Sequence, residues 1–148
     1  DEILQNTTKH RVSYAKDGEK IEKGRVYIAP NDKHLKVNNG FFVLSDDKIY
    51  NFSRPSISVS YESFSSYYKK TLLVIQECGF ASDGVDKLEY LKANSSKLII
   101  QNKDECEATP MVTNALALHV EDYIFNVKDI VVFINLVNKS EDDLFDYL

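Results

Sequence analysis

At 148 residues the chain is sized for one domain with one good core. Hydrophobic residues make up 43% and charged residues 28%, as in ordinary globular proteins. A net charge of -5 and a pI near 5.2 exclude a general nucleic-acid binder, which needs a basic face against phosphates.

No signal peptide or long apolar span stands out, so a cytoplasmic protein without membrane insertion is expected. Cys78 and Cys106 are too few for a disulfide framework and read as reduced structural thiols. His10, His34 and His119 are far apart, and neither cysteine has a second one at ligand spacing. No metal and no cofactor is therefore expected. The chain starts at Asp1, inside the helix-like "DEILQN", which suggests a processed or truncated piece.

In chain order, "RVSYAKDGEKIEKGR" interleaves bases with acids and reads as solvated surface. "RVYIA" at 25–29 is β-branched and aromatic and is stopped by Pro30, so it reads as a strand. The segment 31–52 alternates short apolar pairs with Asn, Gly and Asp, predicting a hairpin with turns near 38–40 and 45–47. "RPSISVSYESFSSYYKK" places Tyr61, Phe64, Tyr67 and Tyr68 on one helical face, an aromatic stripe expected to be core.

From Thr71 the rhythm is regular. "TLLVI" reads as a parallel strand covered on both faces, and "DGVDKLEYLKANS" as a helix with Val85, Leu88 and Leu91 inward. "KLIIQ" and "YIFNV" read as strands. "TPMVTNALAL", with Pro110 in its first turn, and "KDIVVFINLVNK" read as helices. The predicted architecture is α/β: a doubly wound, mostly parallel sheet with helices on both faces, plus a β-hairpin. It forms one domain over residues 1–138, followed by an acidic tail at 139–148 that is either a frayed end or a docking segment.

Such a sheet carries its site at the carboxyl ends of the strands. That rule selects "CGFASDG" at 78–84, and within it Asp83. Ser82 or Asp83 would also serve as an N-cap for the next helix, so periodicity leaves two readings open, cap and catalytic acid. An acid in a hydrolytic triad orients a histidine that deprotonates a serine. No serine here sits in a strand–turn–helix setting with flanking glycines.

Four segments in register resemble the chemotaxis protein-glutamate methylesterase (CheB-type) catalytic domain. The first runs from Asp17, Gly18 and Glu19 through Gly24 and "VYIAP" to His34 and Leu35. "RPSISV" resembles the family's Pro-Ser-Val element, and "GFASDG" its Gly-Met-Gly-x-Asp-Gly turn. "IIQNKDECEATPMVTNAL" resembles its Ile-Ala-Gln-Asp…Cys…Gly-Met-Pro-x-x-Ala run. Together they span about Arg11 to Val137.

The resemblance implies a doubly wound α/β domain that hydrolyses glutamate methyl esters on chemoreceptors and often deamidates receptor glutamines. It places Asp83 as the catalytic triad acid, with Gly79, Phe80, Ser82 and Met111 lining the site. Its implied partners are the cytoplasmic region of a methylated chemoreceptor and a receiver domain or a second copy. The chain departs from the family pattern in several places. Phe80 replaces a methionine and Ala81 a glycine, while Pro110 and Val112 flank Met111 where the family has Gly and Pro. The family's Gly-x-Ser-x-Gly-Gly and Gln-His-Met motifs, which carry the serine and histidine, precede the region matched by Asp1. This chain alone is therefore expected to lack activity. The alternative is a degenerate, non-catalytic binding or regulatory module of the same fold.

Overall fold

A computed structural model of the chain describes residues 2–139, so the acidic tail from Ser140 onward lies outside the described residues. The chain divides into two compact units, Asp1–Tyr67 and Tyr68–Leu148.

The first unit opens with a short helix, α1 (Glu2–Gln5), and two strands, β1 (Arg11–Tyr14) and β2 (Arg25–Ile28). They run parallel with Val12 opposite Val26. β1 is a correction to the reading of that segment as solvated surface. Its outer residues are indeed exposed, but Val12 is buried and the backbone pairs with β2. A strand with one inward apolar residue has no period to detect.

β3 (His34–Asn38) and β4 (Phe41–Ser45) form the predicted hairpin. Its two-residue turn holds Asn39 and Gly40 at φ of 50° and 80°, the left-handed geometry that matches strand twist. The acidic DGE segment locks onto this hairpin. Gly18 and Phe42 exchange backbone bonds through Glu19, at 2.9 and 2.8 Å, and Asp17 Oδ1 accepts the Leu44 N–H at 2.9 Å. Ala15, Leu35 and Phe42 form the buried centre, with Tyr27 edge-on to Phe42 at 4.7 Å between ring centroids.

α2 (Ile57–Tyr68) covers the side of β3 that has no neighbouring strand. Ser63 Oγ accepts the Val37 N–H at 2.9 Å and donates to the Val37 carbonyl at 3.3 Å, while Ser60 Oγ donates to the Leu35 carbonyl at 2.9 Å. The hydroxyls thus replace ladder partners that an edge strand lacks. This changes which face of α2 is core. Ser58 and Ser65 are fully buried, Phe64 is partly buried against Phe42, and Tyr67 is exposed. The serines that reach β3, Ser60 and Ser63, are partly buried, and the aromatic stripe is partly buried or exposed rather than core.

The second unit contains β5 (Leu73–Gln76), β6 (Lys97–Gln101) and β7 (Tyr123–Phe125), all parallel and in the order β5-β6-β7. Complete two-sided cover falls on β6 rather than on "TLLVI", because β6 is the middle strand. Leu98, Ile99 and Ile100 are each 0% exposed although neighbours point to opposite faces. Each such side chain contributes about 1.5–3 kcal/mol relative to an exposed one. The links are helical as predicted. A 3-10 turn (Val85–Lys87) leads into α3 (Leu88–Ala93), with Leu88 and Leu91 buried. α4 (Pro110–Leu116) begins on Pro110 and buries Met111, Val112 and Ala115.

α5 (Val127–Lys139) packs Phe133 against Tyr123 and Phe125. Asn126 Oδ1 accepts the Asp129 N–H at 2.9 Å, which satisfies an amide of its first turn. Asp122 fastens β6 to the chain entering β7. Its Oδ2 accepts from the Leu98 N–H at 2.7 Å and Lys92 Nζ at 2.6 Å. The fold is thus α/β, with parallel strands, helices and an antiparallel hairpin; the parallel strands are shared between two sheets.

Candidate active site

β5 ends at Gln76, and two residues later the turn 78–84 leaves its carboxyl end. Three kinds of link bind this turn to α4 and the segment that enters it. Gly79 donates to the Ala108 carbonyl and accepts from the Met111 N–H, both at 3.1 Å. Asn114 Nδ2 donates to Ser82 Oγ at 2.9 Å. Cys78 and Cys106 form a disulfide with 5.6 Å between their Cα atoms.

The disulfide corrects the expectation of reduced thiols. β5 and β6 are adjacent parallel strands, so the loops leaving their carboxyl ends meet despite a sequence separation of 28. Strand adjacency, rather than cysteine spacing, is the signal that finds this pair. A second link depends on the same adjacency: Gln101 Oε1, at the end of β6, accepts the Cys78 N–H at 3.1 Å.

The predicted site residues gather on this turn but divide between inside and outside. Asp83 is 6% exposed and Met111 8%, whereas Phe80 is 87% exposed. Ser82 lies at the surface. Gly79 has a steric reason to be glycine. A Cβ there would meet Met111 Cε at 3.0 Å and Sδ at 3.1 Å, and Met111 is packed. Gly84, next to Asp83, takes φ of 94°, where residues with a Cβ are strained. Gly84 occupies the cap position of the 3-10 turn and Lys87 that of α3; neither supplies a side-chain cap bond.

Two histidines that might be mistaken for a base, His34 and His10, are bonded to backbone groups. His34 is fully buried; its Nδ1 accepts the Ser56 N–H at 3.2 Å, which leaves Nε2 to donate to the Lys48 carbonyl at 3.0 Å. His10 Nδ1 lies 2.8 Å from the Gly24 carbonyl. The first unit also has an open cleft of about 470 Å³, lined by His34, Lys36, Asp47 and Glu62 among others, that includes none of the predicted site residues. Lys36 and Asp47 pair with each other there, and this pairing holds the exposed Asp47 carboxyl below the ordinary aspartate value.

Among the described residues, no group of three or more His, Cys, Asp or Glu is gathered as a metal-ligand set. No helix among them is long and apolar enough to cross a membrane.

A putative protein-glutamate methylesterase/protein-glutamine glutaminase of Leptospira interrogans is 32% identical over 136 residues, covering 90% of this chain and 70% of its own length. The protein-glutamate methylesterase/protein-glutamine glutaminase of Thermotoga maritima is 31% identical over 126 residues, covering 82% of this chain but 36% of its own. The crystal structure of the Thermotoga maritima CheB methylesterase catalytic domain matches with a TM-score of 0.82 at 28% identity, over 87% of this chain and 70% of that one. The family model described as CheB methylesterase matches residues 1–134. With the family match running through both units, and the solved catalytic domain sharing the fold, the chain belongs to the CheB methylesterase family.

Proposed function

We propose that this chain supplies the acid of a Ser-His-Asp triad in a chemotaxis protein-glutamate methylesterase. The observation that carries this reading is the placement of Asp83. It is a buried carboxylate on a glycine-flanked turn at the carboxyl end of a parallel strand, fixed against α4. A carboxylate so held accepts a hydrogen bond from a histidine Nδ1–H without moving. It also stabilises the imidazolium formed when the histidine takes the serine proton. The serine and histidine belong to family motifs that do not occur in this sequence, so the reaction is that of a longer protein. The serine attacks the methyl ester carbonyl, methanol leaves, and water releases the glutamate.

The substrate in this reading is the cytoplasmic region of a methylated chemoreceptor, and the working location is the cytoplasm. The relatives' second activity, on protein glutamine, uses the same acyl chemistry with ammonia as leaving group. A receiver domain or a second copy is the expected regulatory partner.

The test is Asp83→Asn in a longer protein carrying the serine and histidine motifs. The histidine loses its orienting acceptor, so hydrolysis of methylated receptor peptide is expected to fall on the order of 10⁴-fold while the fold is retained. An unchanged rate refutes the assignment. A second reading, binding without turnover, draws on Phe80, an exposed aromatic where the family has methionine. Methyl release by the longer protein excludes that reading.

A further inference from the structure

Both cysteines of the disulfide lie at the rim of the second unit's core. Cys78 and Cys106 are partly exposed, whereas the large apolar side chains that are fully buried there are Leu88, Leu91, Leu98, Ile99, Ile100 and Val112. The bond joins two loops, and neither cysteine belongs to a strand or to an α-helix. Neither cysteine lies on β6, whose Leu98, Ile99 and Ile100 are enclosed within the core. Breaking the disulfide leaves in place the Gly79 bonds to Ala108 and Met111, the Cys78 bond to Gln101 and the Ser82 bond to Asn114. The reduced turn therefore keeps its position but loses its only covalent tie across the loops. Its sulfurs stay close enough to pair again.

We propose that Cys78–Cys106 is a thiol-sensitive clamp that sets the stiffness of the Asp83 turn while leaving the fold intact. The ligand class is a small thiol or dithiol from the surrounding solution. A thiolate attacks one sulfur of the bond, forming a mixed disulfide. A second thiolate displaces the protein sulfur, so that Cys78 and Cys106 together gain two electrons and two protons and the reagent leaves as its own disulfide. Glutathione disulfide drives the reverse exchange. The inference concerns the mechanical state of the turn and does not depend on the chemistry assigned to Asp83.

The experiment uses the full 148-residue chain. Alkylation under denaturing conditions with N-ethylmaleimide should add nothing after treatment with glutathione disulfide and two adducts after dithiothreitol. Hydrogen exchange of peptides covering 77–84 and 106–112 should quicken on the order of tenfold on reduction, while the peptide covering β6 stays within about twofold. A Cys78→Ser, Cys106→Ser double variant should show the fast exchange with or without dithiothreitol. Two adducts after the oxidising treatment overturn the proposal. So does unchanged exchange of 77–84 on reduction, or equal loss of protection in β6, which makes the bond a requirement of folding. A dithiothreitol response that persists in the double variant also overturns it, since the effect then comes from elsewhere.

Discussion

In the first unit the open side of β3 is met by Ser60 and Ser63, and a fully buried histidine spans Ser56 and Lys48. In the second unit β6 has a parallel strand on each side and apolar residues of α3 and α4 against it. The first arrangement satisfies specific backbone groups with specific side-chain atoms, so its strength lies in geometry. The second removes apolar surface from water, so its strength lies in filled volume. The candidate acid is mounted on the second kind. Its turn is anchored between β5 and the helical segment that starts at Val85, so packed elements on either side limit its motion.

The largest effect expected from this contrast comes from removing volume at β6. Ile99→Ala in the full chain should lower unfolding free energy by about 2–5 kcal/mol, since the site is enclosed on both faces and a cavity there collapses poorly. Equilibrium denaturant unfolding measures it. A loss below about 1 kcal/mol would mean that filled volume at β6 does not limit stability.

The same contrast explains what was legible in the sequence. "TLLVI", "KLIIQ" and the helices around Leu88, Met111 and Ile130 follow from apolar period, because burial in the second unit is apolar. The β3–β4 turn follows from Asn39 and Gly40, whose positive φ is a local preference. β1 did not follow, having only Val12 inward, and neither did the serine face of α2. Hydroxyls at Ser60 and Ser63 carry no hydrophobic signal, and their bonds run to β3, more than 20 residues away. The site divides in the same way. Asp83 is visible as an acid after an apolar run, whereas Cys78–Cys106, Gln101–Cys78 and Ser82–Asn114 join residues brought together only by strand order.

A smaller effect is expected from the polar network of the first unit. His34→Leu keeps much of the ring's volume but leaves the Ser56 N–H and the Lys48 carbonyl without the partner each has now. The expected cost is about 2–3 kcal/mol, from unsatisfied groups rather than from a cavity. Equilibrium unfolding again measures it. If His34→Leu is neutral or stabilising, the first unit is held by packing like the second, and the contrast between them disappears.

Asp122 tests the contrast from the other side, as a polar fastening inside the apolar unit. Burial pushes its carboxyl up, but the hydrogen bond from Lys92, the Leu98 N–H and the charges of Lys92 and Lys97 outweigh that and hold it below the ordinary aspartate value. The folded chain therefore binds this proton less readily than the unfolded chain. The resulting stability is fully present above the unfolded value near 3.9 and is lost as pH falls through the lower folded value. At pH 7, Asp122→Asn should cost only about 1 kcal/mol, because the pair with Lys92 is partly open to water. That difference from the native chain should shrink as pH falls below the unfolded value, where the unfolded carboxyl takes up a proton that the folded one still refuses. A difference that stays constant from neutral to acid pH would show that Asp122 acts through its shape and amide contact rather than its charge. The fastening of β6 by Asp122 would then rest on the Leu98 hydrogen bond and packing, without charge.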